Sequence, residues 1–202
     1  MGRTPLSNST SPVKRIESSS SSPLDDGEEE HHSCLSKGSP SLSGEEELLS
    51  ILFTGDVLLD RGVRPIAERR GVAYLFDSVQ SEFRQADAVV VNLECPLTDT
   101  VSPVNKRYIF RADADWAKDL QRVGITHAAL ANNHTNDQGR RGLQATYQHL
   151  CEAGIVPIGY GSDYEEQSAP VVIEKGSGRV AVFNAVMMAL EIWHYLDGRP
   201  GV

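Results

Sequence analysis

Hydrophobic residues in this chain fall into short runs, and several of these runs end in polar side chains. The runs span Leu48 to Phe53, Ala86 to Leu93, Ile125 to Leu130 and Ile155 to Ile158. Apolar runs of this length, bounded by glycine, proline and polar residues, are typical of buried strands. The pattern therefore predicts four strands whose side chains are largely enclosed.

Helical periodicity fills the intervals between these runs. A helical pattern from Arg61 to Glu82 is broken by Pro65 and Gly71. The other predicted helices begin at Asp113 as N-cap and end before Gly124, and run from Gly139 to Ala153 with Gly154 as the stop. Alternation of strands and helices indicates an α/β fold with a largely parallel sheet.

Two further apolar runs follow the last helix. Pro170 to Glu174 and Arg179 to Asn184 are separated by Lys175-Gly176-Ser177-Gly178, a glycine-rich hairpin signal. We therefore expect an antiparallel addition to the parallel sheet, so that the fold has mixed sheets.

The first 48 residues have a different composition from the rest of the chain. They contain a serine run at 18–22 and an acidic run at 28–30, with few aliphatic residues. Such a segment cannot bury enough apolar surface to offset its ordering entropy. We predict a disordered tail over residues 1–48 and one folded domain over residues 49–202.

Charge and cysteine content narrow the functional classes. The 202-residue chain carries a formal net charge of −9 and has no concentrated basic stripe, which argues against nucleic-acid binding. It also lacks an apolar run long enough for a transmembrane segment. Cys34, Cys95 and Cys151 are odd in number and widely spaced, which favours reduced thiols and a cytoplasmic location.

Candidate metal ligands lie at the ends of three of the predicted strands: Asp56, Asn92, Glu94, Asn133 and His134. The carboxyl ends of parallel strands meet at one sheet edge, where open α/β folds bind ligands. Carboxylate and amide oxygens combined with imidazole suit Mn, Fe or Zn. Each piece also has a purely structural interpretation: an Asx turn at Asp56, a solvent-facing strand end at Asn92 and Glu94, or a helix cap at Asn133-His134.

Other candidates are less specific. Lys106 and Arg111 alternate in a strand-like segment and could hold a substrate anion, although a rim ion pair explains them equally well. The thiolate of Cys95 could ligate a metal, but a small buried residue is the simpler interpretation. The remaining histidines of the predicted domain, at positions 127, 149 and 194, are interpreted as packing or surface residues.

With these residues in view, the chain resembles the CapA-type capsule synthesis proteins, a poly-γ-glutamate biosynthesis family with a calcineurin-like metallophosphatase fold. The resemblance runs from about residue 49 to residue 182. The motifs that carry it are Gly55-Asp56-Val57-Leu58-Leu59, Ala86-Asp87, Asn92 to Thr98, Lys106 to Ala112, Leu130 to His134, Asp137-Gln138-Gly139, Gly142-Leu143, Thr146, Leu150 and Gly154-Ile155.

The resemblance implies an αββα sandwich and a specific set of site residues. The metal-site positions correspond to Asp56, Glu94, Asn133 and His134. Asn92 and Asp137 would hydrogen-bond to these ligands and orient them. From this we expect His134 and Asp137 to be catalytic, and Asn92, Lys106 and Arg111 to bind substrate.

The resemblance also implies further histidine motifs beyond the point where this chain stops, and Trp193-His194 does not replace them. We therefore expect a C-terminally incomplete family domain. The leading hypothesis is a metal-dependent phosphoesterase-fold protein related to capsule or poly-γ-glutamate synthesis, acting on a phosphorylated small molecule or polymer. The alternative is a non-catalytic remnant, or a regulatory or binding module, of the same fold.

Overall fold

The structure is a computed structural model, and it describes residues 48–187 and 201–202. The predicted tail up to residue 47, with Cys34, and the Trp193-His194 pair lie outside the described residues. The elements are β1 (Ile51–Val57), α1 (Arg64–Arg70), a 3₁₀ helix (Val72–Phe76), α2 (Gln80–Gln85), β2 (Ala88–Leu93), α3 (Trp116–Arg122), β3 (His127–Ala129), α4 (Gly139–Ala153), β4 (Val156–Ile158), α5 (Tyr164–Ser168), β5 (Val171–Lys175) and β6 (Gly178–Val182).

The strands form two sheets. Strands β1, β2, β3 and β4 lie side by side in that order, and every neighbouring pair is parallel. Strands β5 and β6 form a separate antiparallel pair. The predicted α/β class with mixed sheets is therefore confirmed, and so is the glycine-rich hairpin.

Strand β2 lies in the interior of the parallel sheet and contributes residues to a hydrophobic core on each face of that sheet. Alternate residues of a strand point to opposite faces. Val89 and Val91 join a large cluster that includes residues of α3 and α4, such as Leu120 and Leu143. Ala88, Val90, Ile158 and Ile173 form a second cluster. Because Ile173 belongs to β5, the antiparallel pair packs on the face of the parallel sheet opposite to α3 and α4.

Two helix boundaries differ from the prediction. Pro65 does not interrupt a helix; it lies in the first turn of α1, where its missing N–H costs nothing. Helix α3 has Asp115 rather than Asp113 at its N-cap, and the Asp113 carboxylate instead pairs with Arg64 at 3.0 Å. The break at Gly71 is confirmed, since α1 ends there with a φ of 84°.

Asp87 joins the two sheets at the ends of their strands. Its Oδ2 accepts hydrogen bonds from the backbone N–H of Ser50 at 2.8 Å and from the Ser50 hydroxyl at 2.9 Å. Its Oδ1 lies 2.8 Å from Nζ of Lys175, at the end of β5. The Lys175 ammonium and the Ser50 donors lower the pKa of Asp87 to about 2.

Within residues 48–187 and 201–202, we find no helix with the length and apolar character needed to cross a membrane.

Candidate functional site

The predicted site residues lie at the carboxyl ends of β1, β2 and β3. In the sheet, Asp56 is opposite Asn92, and Asn92 is opposite Ala129. An irregularity in β1 between Phe53 and Asp56 places one extra residue on that strand. This bulge shifts the register by one residue and brings Asp56, rather than Gly55, opposite Asn92.

Asn92 links the two carboxylates of the site. Its Nδ2 donates to Oδ1 of Asp56 at 2.8 Å and to Oε2 of Glu94 at 2.5 Å. Asn92 and Glu94 are two positions apart on an extended segment, so their side chains point to the same side. Asn92 and Glu94 were both predicted from the sequence to lie at the site, and in the structure both lie beside Asp56.

The environment of Glu94 disfavours its charged form. Burial raises the pKa of Glu94, and the neighbouring negative charges of Asp56 and Asp137 raise it further, whereas the Asn92 hydrogen bond and His134 act in the opposite direction. In the described residues, neither Asp56 nor Glu94 forms an ion pair with a lysine or an arginine. This acidic pair is therefore a place where a bound cation would gain electrostatic stabilisation.

Asn132 fixes the orientation of Asn92. Its Nδ2 donates to Oδ1 of Asn92 at 3.0 Å and to the carbonyl oxygen of Leu93 at 2.8 Å. Its Oδ1 accepts from the backbone N–H of His134 at 2.9 Å. Because Oδ1 of Asn92 is used in this way, its Nδ2 must face the two carboxylates.

His134 and Asp137 form a buried pair. Oδ2 of Asp137 lies 2.9 Å from Nδ1 of His134 and accepts from the backbone N–H of Phe110 at 2.6 Å. Its Oδ1 lies 2.7 Å from Nζ of Lys106, and Asp137 itself is 0% exposed. Since the carboxylate can only accept from Nδ1, the proton of a neutral imidazole is on Nδ1 and its Nε2 keeps a lone pair.

Of the three remaining predicted residues, Lys106 and Arg111 donate to backbone carbonyl oxygens. Lys106 donates to the carbonyl oxygen of Asn133 in addition to its contact with Asp137. Arg111 donates from a guanidinium nitrogen to the carbonyl oxygen of Thr98 at 3.1 Å. Asn133 is half-buried beside His134. Their roles in metal or substrate binding stay predictions.

Sequence reasoning assigned no role to three residues that shape the site. Asn132 is the first amide of the Asn-Asn-His run, and the sequence does not show that its role differs from that of Asn133. Asn184 accepts from the backbone N–H of Ala131 at 2.5 Å, although 53 residues separate the two. Asp60 accepts from the backbone N–H of Arg111 at 2.9 Å. The last two contacts are long-range and leave no local signal.

Cys95 matches the simpler of its two interpretations. It is 1% exposed, and its Sγ accepts from the backbone N–H of Leu59 at 3.4 Å. Burial raises the pKa of the Cys95 thiol to about 12. The neutral thiol is a small buried side chain rather than a thiolate ligand.

A cavity of about 420 Å³ opens beside Asp56. Its lining includes Asp56 and Thr54 from β1, and its remaining walls are largely apolar. The full lining is Leu52, Thr54, Gly55, Asp56, Val57, Phe76, Val79, Glu82 and Phe83.

The donor chemistry fits a divalent cation, although the donors do not form a compact cluster. Two carboxylates, amide oxygens and the Nε2 lone pair of His134 are the ligand types that Mn, Fe and Zn accept. However, across the described part of the chain, no three His, Cys, Asp or Glu side chains are gathered closely enough to hold a metal ion. The two carboxylates linked by Asn92 are the best-formed part of the site.

Comparison with known proteins gives this site a family context. The family model for the bacterial capsule synthesis protein PGA_cap matches residues 50–197, which is most of the chain. The chain belongs to the PGA_cap family. The resemblance inferred from the sequence motifs is thus confirmed, and the matched residues include all of the candidate residues described above.

Individual proteins that are similar to this chain also have names that refer to capsule, PGA or polyglutamine synthesis. The capsule biosynthesis protein CapA of Bacillus anthracis is 28% identical over 141 residues, covering 68% of this chain and 34% of the relative. The PGA biosynthesis protein CapA of Bacillus subtilis is 26% identical over 135 residues, covering 66% and 36%. A probable polyglutamine synthesis accessory protein of Mycobacterium tuberculosis is 26% identical over 199 residues, covering 80% and 52%. The chain therefore spans about a third to a half of the length of these relatives.

Proposed function

We propose that this PGA_cap chain takes part in the synthesis of a capsule-type polymer of the poly-γ-glutamate class, through metal-dependent hydrolysis of a phosphoester or acyl phosphate. The relatives named for capsule and PGA biosynthesis support the process. The observation that carries the chemistry is the pair of carboxylates, Asp56 and Glu94, held by one amide of Asn92.

Asp56, Glu94, Asn133 and His134 are the residues that would hold the metal, with Mn, Fe or Zn as the ions that match their donors. A divalent cation there supplies Lewis-acid polarisation of a phosphoryl oxygen and makes water more acidic. The raised pKa of Glu94 supports this assignment, because a nearby cation would offset the repulsion between its charge and that of Asp56.

The chain's own residues contribute orientation and charge balance. Asp137 holds the His134 ring through Nδ1, which leaves the Nε2 lone pair as the group that would face the metal. Lys106 balances the buried charge of Asp137. Asn132 holds the Asn92 amide toward the carboxylates.

The direct test is a hydrolysis assay with the full chain. p-Nitrophenyl phosphate and acetyl phosphate would each be supplied with Mn²⁺, Fe²⁺ or Zn²⁺, with and without chelator. We expect metal-dependent turnover that falls at least about tenfold in His134→Ala, since loss of a group that holds or orients a metal site typically costs about 10- to 100-fold in activity. His149→Ala, which changes a surface histidine of α4 facing Glu152, is the matched control and should keep wild-type activity. Equal turnover in the His134 and His149 variants would contradict the proposal.

A non-catalytic binding or regulatory module of the same fold is the second candidate. It is favoured by the observation that, in the described residues, no three His, Cys, Asp or Glu side chains are close enough together to hold a metal. This candidate predicts ligand binding without turnover under every metal condition of the assay.

A further inference from the structure

Arg61 has an unusual backbone conformation directly after β1. Its φ is 53°, and it is the one non-glycine residue with positive φ in the described part of the chain. Side chains with a Cβ atom are strained in this region, which glycine occupies freely. Such strain persists only where the surroundings impose it, and it is concentrated at functional sites.

The Asp60 carboxylate bonds to the backbone on both sides of this turn. Its Oδ1 accepts from the backbone N–H of Arg61 at 2.7 Å, and its Oδ2 accepts from the backbone N–H of Arg111 at 2.9 Å. The same carboxylate lies 3.6 Å from Nε of Arg64. Asp60 thus joins the turn after β1 to the segment that carries Phe110 and Arg111.

The Arg61 side chain is stacked beside the candidate site. Its guanidinium carbon lies 4.6 Å from the ring centre of Phe110 and 4.9 Å from that of Tyr108. The Phe110 ring also packs against the His134 imidazole, with 4.1 Å between ring centres. A single aromatic ring therefore contacts both Arg61 and the histidine of the site.

Arg61 differs from Lys106 and Arg111 in what its charge contacts. It differs from Arg107, which also lies over the Tyr108 ring, in contacting the Phe110 ring that packs against His134. Lys106 is paired with Asp137, and Arg111 donates to a backbone carbonyl. Arg61 is exposed, and among residues 48–187 and 201–202 no carboxylate lies within ion-pair distance of its guanidinium. Stacking uses the flat face of the guanidinium and leaves its N–H groups at the edge, where they can bind an oxyanion.

We propose that Arg61 is a substrate-binding residue, and that its stacked guanidinium binds a phosphate group at the edge of the site containing His134. This inference rests on the proposed function and names the chemical group that the site recognises. A guanidinium matches two phosphate oxygens at once, and an aromatic stack fixes its direction before the ligand arrives.

The test uses the uniformly ¹⁵N-labelled full chain and inorganic phosphate as the probe. Phosphate would be titrated while the arginine Nε–H signals are followed by NMR, with the Arg61 signal assigned by its loss in Arg61→Lys. We expect this signal to shift with a saturable dependence on phosphate. The apparent Kd should rise at least about tenfold in Arg61→Lys, which lacks the planar fork.

Arg61→Gly separates binding from folding. Glycine adopts the positive φ without strain, so this variant should fold like the wild type and still lose phosphate binding. Arg70→Gln is the matched control, because Arg70 is also exposed and stacked on an aromatic ring, that of Tyr74, at the end of α1. It should bind phosphate as the wild type does.

Several outcomes would overturn the inference: no phosphate binding by the wild type, equal Kd values for the wild type and Arg61→Gly, or a response to L-glutamate but not to phosphate. Metal content, measured on the same samples, separates this failure from failure of the proposed function. If the wild type binds metal and its phosphate binding does not depend on Arg61, the role of Arg61 is wrong and the proposed metal chemistry stands. If phosphate binding depends on Arg61 but the wild type binds no metal, the proposed metal chemistry is wrong and the role of Arg61 stands.

Discussion

Nδ1 of His134 lies 2.9 Å from Oδ2 of Asp137, and both side chains are almost completely buried. Asp137 also accepts a hydrogen bond from the backbone N–H of Phe110 and forms an ion pair with the ammonium of Lys106. One carboxylate therefore fixes the imidazole, the segment that carries Phe110 and the lysine at the same time.

Asp137→Ala should strongly destabilise the protein. The substitution leaves the Lys106 ammonium, whose side chain is 15% exposed, without its carboxylate, and leaves the Phe110 N–H without an acceptor. Breaking a buried pair in this way costs about 3–5 kcal/mol. Urea denaturation followed by circular dichroism measures the change in the free energy of unfolding.

The control for this variant is Glu174→Ala. Glu174 pairs with Arg179 at 3.0 Å, but that pair is exposed, and exposed pairs contribute about 0–1 kcal/mol. A loss in Asp137→Ala no larger than the loss in Glu174→Ala would contradict the structural role of Asp137.

Glu94→Gln should stabilise the metal-free protein at neutral pH while weakening metal binding. Burial and the charge of Asp56 raise the pKa of Glu94, which means that the folded state disfavours its ionised form. A neutral amide of the same shape removes this repulsion and can still accept from Asn92. Thermal unfolding in the presence of chelator should give a higher Tm for Glu94→Gln than for the wild type.

Glu152→Gln, at an exposed position of α4, is the control for the general effect of removing one negative charge. If both variants raise Tm equally, the effect comes from net charge and the acidic pair at the site has no special contribution.

Asp87→Asn should remove a stabilisation that depends on pH. The folded pKa of Asp87 is about 2, below its ordinary 3.8, because Lys175 and Ser50 favour the charged carboxylate. A depressed pKa stabilises the folded state above the ordinary pKa, and this stabilisation is lost as pH falls through the folded value. The Tm difference between the wild type and Asp87→Asn should therefore be full at neutral pH and shrink between about pH 4 and pH 2.

The comparison is made with Asp77→Asn, an exposed aspartate that follows the 3₁₀ helix. A Tm difference for Asp87→Asn that stays constant down to pH 2 would show that the contact between the two sheets does not depend on the charge of Asp87.

The sequence predicted most of the elements because their causes are local. The predicted strand at Ala86–Leu93 is observed as Ala88–Leu93, and the helix at Gly139–Ala153 has the predicted bounds. The observed β3 is shorter than the predicted run and covers only His127–Ala129. Apolar periodicity marks a buried segment more precisely than it marks where ladder hydrogen bonds begin and end.

The sequence predicted which residues lie together at the site where the parallel order of the strands alone determines their position. Polar residues that follow neighbouring parallel strands must meet at one edge, and Asp56, Asn92 and Glu94 do so. The extra residue in β1, the direction of the Asn132 amide and the positive φ of Arg61 depend on contacts between distant segments. No local pattern encodes these contacts, and they set the detailed geometry.

We propose that Asp56 and Glu94, with His134, hold a divalent metal ion. The most direct measurement is elemental analysis for Mn, Fe and Zn in the full chain, purified without chelator and again after reloading with each ion. The comparison is the Asp56→Ala/His134→Ala double variant, with Asp77→Ala/His149→Ala as a matched control. We predict stoichiometric metal in the wild type and in the control, and a loss of metal in the Asp56/His134 variant. A folded wild type that retains no metal after reloading, or equal metal in all three proteins, would contradict the account.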